Sequence, residues 1–163
     1  MIFAAVGTQK FPMDRLLKEL DRLAETGAIT EPVFIQTGVS TCEVRHCQGS
    51  AFLCKEDMAA KVAECSVMIS HAGVGSILMA LKAGKKVIVV PRRAAFGEHV
   101  DDHQLEIAQS FARAGYVKVV EDIDKLQDVI QSCGEWQPKL FESNKRRFSE
   151  LILSLVDAAD PGR

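Results

Sequence analysis

Residues 66–104 read SVMISHAGVGSILMALKAGKKVIVVPRRAAFGEHVDDHQ, and the fold follows from this stretch. The apolar run Val67-Met68-Ile69 reads as a buried strand. Ser70-His71-Ala72-Gly73-Val74-Gly75-Ser76 interrupts it, and Ile77, Leu78 and Leu81 then recur at helical spacing up to Gly84, a helix-ending residue. Val87-Ile88-Val89-Val90 is a second buried strand, stopped by Pro91. Strand, Gly-rich turn, helix and strand make a βαβ unit of a parallel sheet. Ligand chemistry is expected at the turn. Its glycines allow close backbone approach, and the following helix offers unpaired N–H groups and the positive end of its dipole, both suited to phosphate. A tight turn that merely packs helix on sheet gives the same pattern. The dinucleotide fingerprint is not met: the third glycine is missing, and Pro91-Arg92-Arg93 stands where an acidic residue should end the next strand. NAD is therefore not expected.

Working outward, Ile2–Val6 reads as a first buried strand, followed by the loop Gly7-Thr8-Gln9-Lys10. Met13, Leu16, Leu17, Leu20 and Leu23 then form one helical stripe ending at Gly27. Val33–Thr37 is a strand ending at Gly38. A short strand is expected between Glu43 and Phe52, then a helix over about 55–64 with Met58 and Val62 inward. After His103 a helix runs through Leu105, Ile107, Ala108 and Phe111 to Gly115. Tyr116–Val120 is a strand, and Asp124 can N-cap a short helix. Gly134–Pro138 reads as a linker. A last helix over about 138–157 carries Phe141, Phe148, Leu151, Ile152, Leu155 and Val156, interrupted by Lys145, Arg146 and Arg147. The alternation predicts an α/β fold, a Rossmann-like open parallel sheet with helices on both faces.

The chain has 163 residues, 47% of them hydrophobic and 26% charged, which fits one globular domain. The formal charge of −2 provides no field for nucleic acid or anionic membrane. No apolar run is long enough to span a bilayer, and Ile2–Val6 is too short for a signal peptide, so a cytoplasmic chain is expected. The five cysteines are an odd number, and Cys42, Cys47 and Cys54 lack zinc-site spacing. Free thiols are expected, with Cys42 and Cys47 open to oxidation in air.

Taken together, S-H-A-G-x-G-S at 70–76, P-R-R at 91–93 and G-E-H-V-D-D-H-Q at 97–104 closely resemble the C-terminal, nucleotide-sugar-binding domain of family 28 glycosyltransferases. Val6–Pro12 and Asp14-Arg15-Leu16-Leu17 fit the same family. The resemblance is strongest to small stand-alone subunits of bacterial exopolysaccharide and capsule synthesis, with a eukaryotic relative in dolichol-linked GlcNAc transfer. It implies the C-terminal half of a GT-B glycosyltransferase. Residues 1–137 would be the nucleotide-sugar domain, and 138–163 a helix and tail that docks a partner or simply packs on the domain.

On that resemblance, Ala72, Gly73, Gly75 and Ser76 form a phosphate cradle, with the Ser76 hydroxyl capping the helix, contacting an oxygen, or both. His71, at the carboxyl edge of its strand, is implied to donate a ring N–H to the diphosphate. Gly7, Thr8 and Gln9 line the cleft under the donor, or form an ordinary βα turn. Within Glu98–Gln104, Asp101 or Asp102 can N-cap a helix. The resemblance carries donor-sugar recognition onto His103 and Gln104. Two His and two Asp there invite a metal, but distal ligands are lacking, so no metal and no cofactor beyond the UDP-sugar substrate is expected. Arg92 and Arg93 neutralise the diphosphate, face a partner, or lie solvated. His99 and Asp101 are the candidates for a general base, which is otherwise placed on the partner. One departure stands out: Met79 occupies the position where family members place a ribose-gripping Glu, and a thioether cannot accept those bonds as a carboxylate does.

The implied activity is that of the donor-binding subunit of a two-component hexosyltransferase. It would move sugar from a UDP-sugar to a lipid-linked acceptor in surface polysaccharide synthesis, inverting and without essential metal. The acceptor would be presented by a small membrane-anchored partner that recruits this chain to the inner membrane face. The alternative is a nucleotide-binding regulatory or scaffold subunit without turnover.

Overall fold

A computed structural model describes residues 1–141. Six strands, β1 (Ile2–Ala5), β2 (Val33–Gln36), β3 (Gln48–Ser50), β4 (Val67–Ser70), β5 (Lys86–Val89) and β6 (Lys118–Val119), form one parallel sheet in the order β3-β2-β1-β4-β5-β6. Five α-helices accompany them among the described residues: α1 (Asp14–Glu25), α2 (Lys55–Glu64), α3 (Val74–Lys82) and α4 (His103–Arg113) between strands, and α5 (Leu126–Ser132) after β6.

The two-residue alternation of β1 places Ile2 and Ala4 on one face and Phe3 and Ala5 on the other, and all four are buried. The first face packs on α1 and α5, the second on α2, α3 and α4. Leu16, Leu17, Leu20 and Leu23 of α1 are each 0% exposed. Their burial contributes about 6–12 kcal/mol before conformational entropy is counted.

The short strand expected between Glu43 and Phe52 is β3, whose approach is tied down by two carboxylates of α1. Asp14 accepts from the Thr41 N–H and hydroxyl and the Cys42 N–H, and Asp21 from the N–H groups of Arg45, His46 and Cys47. The Cys42 and Cys47 thiols turn inward toward the carbonyls of Asp14 and Leu20. Burial, aided by the nearby carboxylates, pushes both up to about 11. This corrects the expectation that these two thiols oxidise readily, because the reactive form is the thiolate.

The strand expected over Tyr116–Val120 is confined to Lys118–Val119. Residues 138–141 are not helical, although a helix was expected to start at Pro138; Lys139 donates its N–H to the Gly115 carbonyl, and Phe141 meets Tyr116 edge-on at 5.4 Å. The remainder of that expected helix, with Arg146, Arg147 and Phe148, lies outside the described residues. No helix among the described residues is long and apolar enough to cross a membrane.

Candidate functional site

The strand order reverses its direction of growth between β1 and β4, and in such sheets the crevice opens where the two loops leave in opposite directions. A cleft of about 490 Å³ lies there. Gly7, Thr8 and Gln9 line it from the loop after β1; His71, Gly73, Gly75, Ser76 and Met79 line it from the β4–α3 turn and α3. Seven of the residues singled out in the sequence therefore share one cavity, with Met79 beside them.

The turn after β4 is built around the His71 ring. Ala72 adopts φ +70° without being glycine, a conformation that costs an L-residue about 1–2 kcal/mol. Gly73 N-caps α3 without a side-chain bond, so Ser76 sits in the first turn and does not cap the helix, contrary to one expectation. The glycines divide their work. A Cβ on Gly73 would stand 2.5 Å from His71 Nε2, and one on Gly7, at φ +81°, 2.5 Å from His71 Cε1. Gly7 and Gly73 thus make room for the imidazole. Gly75 has nothing within 4 Å of its would-be Cβ and is the glycine open to a ligand.

His71 is 6% exposed, and its Nδ1 lies 3.1 Å from the Ala5 carbonyl oxygen. Burial brings its pKa down to about 4, opposed by that hydrogen bond and reinforced by Arg92 and His99. The ring is neutral at pH 7.

Sequence reasoning missed Gln36, Leu53, Cys54 and Lys55 as lining residues and read Met58 only as core. Gln36 organises the first loop: its Oε1 accepts from the Gly7 N–H at 3.1 Å, and its Nε2 donates to the carbonyls of Gly7 and Ala51 at 3.0 and 3.1 Å. A glutamine ending a buried strand at the carboxyl edge was the available signal. Cys54 accepts from the Asp57 N–H as the N-cap of α2.

The remaining candidates are not among the residues that line this cavity. Arg92 is 0% exposed, which corrects its reading as a diphosphate ligand or a solvated residue. Its guanidinium donates to the carbonyls of Val6 at 2.7 Å, Phe11 at 2.7 Å and Glu98 at 2.9 Å, stitching the first loop to the segment after β5. The Glu98 carboxylate in turn takes two bonds from Arg15 at 3.0 and 2.9 Å. Gln104 is buried, and its Oε1 accepts from the Arg92 N–H at 3.3 Å, so its amide is engaged in the frame. His99 Nδ1 lies 3.0 Å from Asp101 Oδ1, and the same oxygen accepts from the His103 N–H. His103 itself is half-buried at the start of α4. Asp102 accepts from the Ala94 N–H and from Arg93, which is thereby half-shielded on the surface.

Comparison with known proteins gives this geometry a context. A relative from Cryptococcus neoformans, "UDP-N-acetylglucosamine transferase subunit ALG13", is 36% identical over 105 residues, 61% of this chain and 50% of its own. The protein of the same name from Yarrowia lipolytica is 37% identical over 71 residues, 44% of this chain and 34% of its own. The chain thus spans half or less of the length of these curated relatives. Among solved structures, the glycotransferase of kitacinnamycin superposes with a TM-score of 0.64 at 15% identity, covering 83% of this chain and 35% of that one, a likeness of fold alone. The family model described as "Glycosyltransferase family 28 C-terminal domain" matches residues 1–157, and the chain belongs to that family.

Proposed function

We propose that this chain is the donor-binding subunit of a two-component glycosyltransferase that moves N-acetylglucosamine from its UDP-sugar to a lipid-linked acceptor. The observation that carries the reading is the cleft at the β1/β4 reversal, where the open Gly75 and the first turn of α3 offer a phosphate site beside the loop of Gly7–Gln9. The α3 amides would stabilise the departing diphosphate, which is electrostatic catalysis by groups already in place. The printed names of the fungal relatives support the donor. A Solibacter usitatus protein, 37% identical over 68 residues, is named as an N-acetylglucosamine transferase acting on a pyrophosphoryl-undecaprenol substrate, which supports the lipid-linked acceptor. The acceptor lobe would come from a membrane-anchored partner that draws this chain to the cytoplasmic face. Work in bacterial surface polysaccharide synthesis is the biological setting we favour. UDP-sugar enters as substrate, and the reading requires no metal.

Calorimetric titration with UDP, with NAD as control, tests the donor site, and sugar transfer by this chain with its partner lobe tests the reaction. Saturable UDP binding without NAD binding is expected; equal binding of both, or of neither, removes the reading. The second reading, a nucleotide-binding subunit without turnover, is favoured by Met79, which lines the cleft with a thioether. UDP binding with no transfer by the complete pair would select it.

A further inference from the structure

Two buried side chains hold the first peptide of the loop after β1 from opposite ends. Arg92 donates to the Val6 carbonyl at 2.7 Å, while Gln36 accepts from the Gly7 N–H at 3.1 Å and donates to the Gly7 carbonyl at 3.0 Å. Arg92 also grips the far end of that loop through the Phe11 carbonyl, at 2.7 Å, and the segment after β5 through the Glu98 carbonyl, at 2.9 Å. These partners are backbone carbonyls, and none of them cancels its charge. The Glu98 carboxylate is turned elsewhere: it takes two bonds from Arg15 and one from the Arg93 N–H at 3.1 Å. The Arg93 guanidinium is itself paired with Asp102. Two guanidiniums, Arg15 and Arg92, thus share one carboxylate, which leaves one positive charge over, with Arg92 0% exposed and Glu98 3% exposed. A guanidinium does not lose its proton in a protein. The field of Arg92 reaches the cleft, since it is one of the causes that hold His71 below its ordinary pKa. The lining of the cleft carries Lys55 and no acidic residue, so nothing there offsets that field.

We propose that Arg92 is a positioning residue for the donor. It sets the loop that lines the cleft and keeps a buried positive charge beneath it, which favours a diphosphate over an uncharged ligand without touching either. The inference rests on the nucleotide-sugar reading of the cleft. Stability is a poor account of this arginine: burying a charge among carbonyls costs free energy that a well-packed apolar side chain does not, and its Nε has no partner among the described residues. A charge fixed under the site is already in place when the diphosphate departs, so nothing need reorganise as negative charge grows there.

Amide spectra of the full chain, titrated with UDP and separately with uridine, test this through the ratio of the two affinities. Arg92→Met removes the charge and should lower the preference for UDP by about tenfold, the effect of one unit charge within about 10 Å at intermediate dielectric. Arg92→Lys keeps the charge without the planar fork, so it should melt below the parent yet hold the preference within about twofold. Glu98→Gln removes the counter-charge and should raise the preference, which decides the matter if Arg92→Met does not fold. An arginine that only holds the fold would weaken UDP and uridine alike. A ratio unchanged in Arg92→Met, or in Glu98→Gln where that variant must decide, overturns the proposal and leaves the cleft reading standing. So does a preference lost as fully in Arg92→Lys as in Arg92→Met. A Gly75 amide that responds to neither ligand in the parent chain removes the nucleotide reading, and this inference with it.

Discussion

Replacing each of two glycines, two residues apart in one turn, with alanine should change stability in opposite directions. At Gly73 the backbone (φ −67°, ψ 120°) tolerates any L-residue, so the whole effect is steric. The new methyl would sit 2.5 Å from His71 Nε2 and 2.7 Å from Cε1. The ring has little room to retreat, because Gly7 closes on the same two ring atoms and the Ala5 carbonyl holds Nδ1. Overpacking of this kind costs about 1–3 kcal/mol. For a chain of this size that lowers Tm by roughly 2–4 °C per kcal/mol. At Gly75, in the first turn of α3, a methyl meets nothing within 4 Å. Removing glycine's backbone freedom there should stabilise by up to about 0.5–1 kcal/mol. The same methyl stands where a phosphate must approach, so affinity for UDP should fall by at least about tenfold, or roughly 1.4 kcal/mol. Urea unfolding reads the first quantity and calorimetric titration the second. If Gly73→Ala is as stable as the parent, His71 is not wedged as described. If Gly75→Ala binds UDP undiminished, the cradle is not at α3.

Three further outcomes follow from the geometry. His71 titrates near 6.5 when unfolded and at about 4 when folded, so the unfolded chain binds more protons between those values. Its contribution, on the order of 3 kcal/mol, is complete above pH 6.5 and is lost as pH falls toward 4; His71→Gln should flatten that part of the stability–pH curve, and an unchanged slope refutes the assignment. Glu98 is 3% exposed and paired with Arg15, so Glu98→Ala should destabilise by about 3–5 kcal/mol in urea unfolding, whereas a loss below 1 kcal/mol would mean the pair is dispensable. Cys54 is exposed and lines the cleft, whereas Cys42 and Cys47 are shielded thiols. Iodoacetamide at pH 8 should therefore label Cys54 first, and bound UDP should slow that labelling; labelling indifferent to UDP argues against nucleotide in this cleft.

Much of the architecture is a local property. The leucine stripe of α1, the alternation in β1 and the uninterrupted apolar runs of β4 and β5 announce their elements, because helix and strand periods are imposed by the backbone alone. β3 was the weak point. Gln48-Gly49-Ser50 has no apolar signal, and it becomes a strand because β2 offers it an edge while Asp14 and Asp21 anchor its approach. The first-loop residues and the 71–76 turn were legible as one site because both follow parallel strands, and parallel strands end at one edge of a sheet.

What the sequence by itself determined is the βαβ order, the family, and the identity of the loops that meet at the cleft. Only the tertiary structure decided what each polar residue does there. Arg92 looked like a ligand for phosphate and is the fully buried stitch between two loops; Gln104 is its partner. Gly7 and Gly73 looked open to a ligand and instead house a histidine, while Gly75 alone of the three is clear. The physical reason is that periodicity and motif spacing report which way a chain runs, whereas the role of a donor or acceptor depends on which residues far away in sequence have already met its hydrogen-bonding needs.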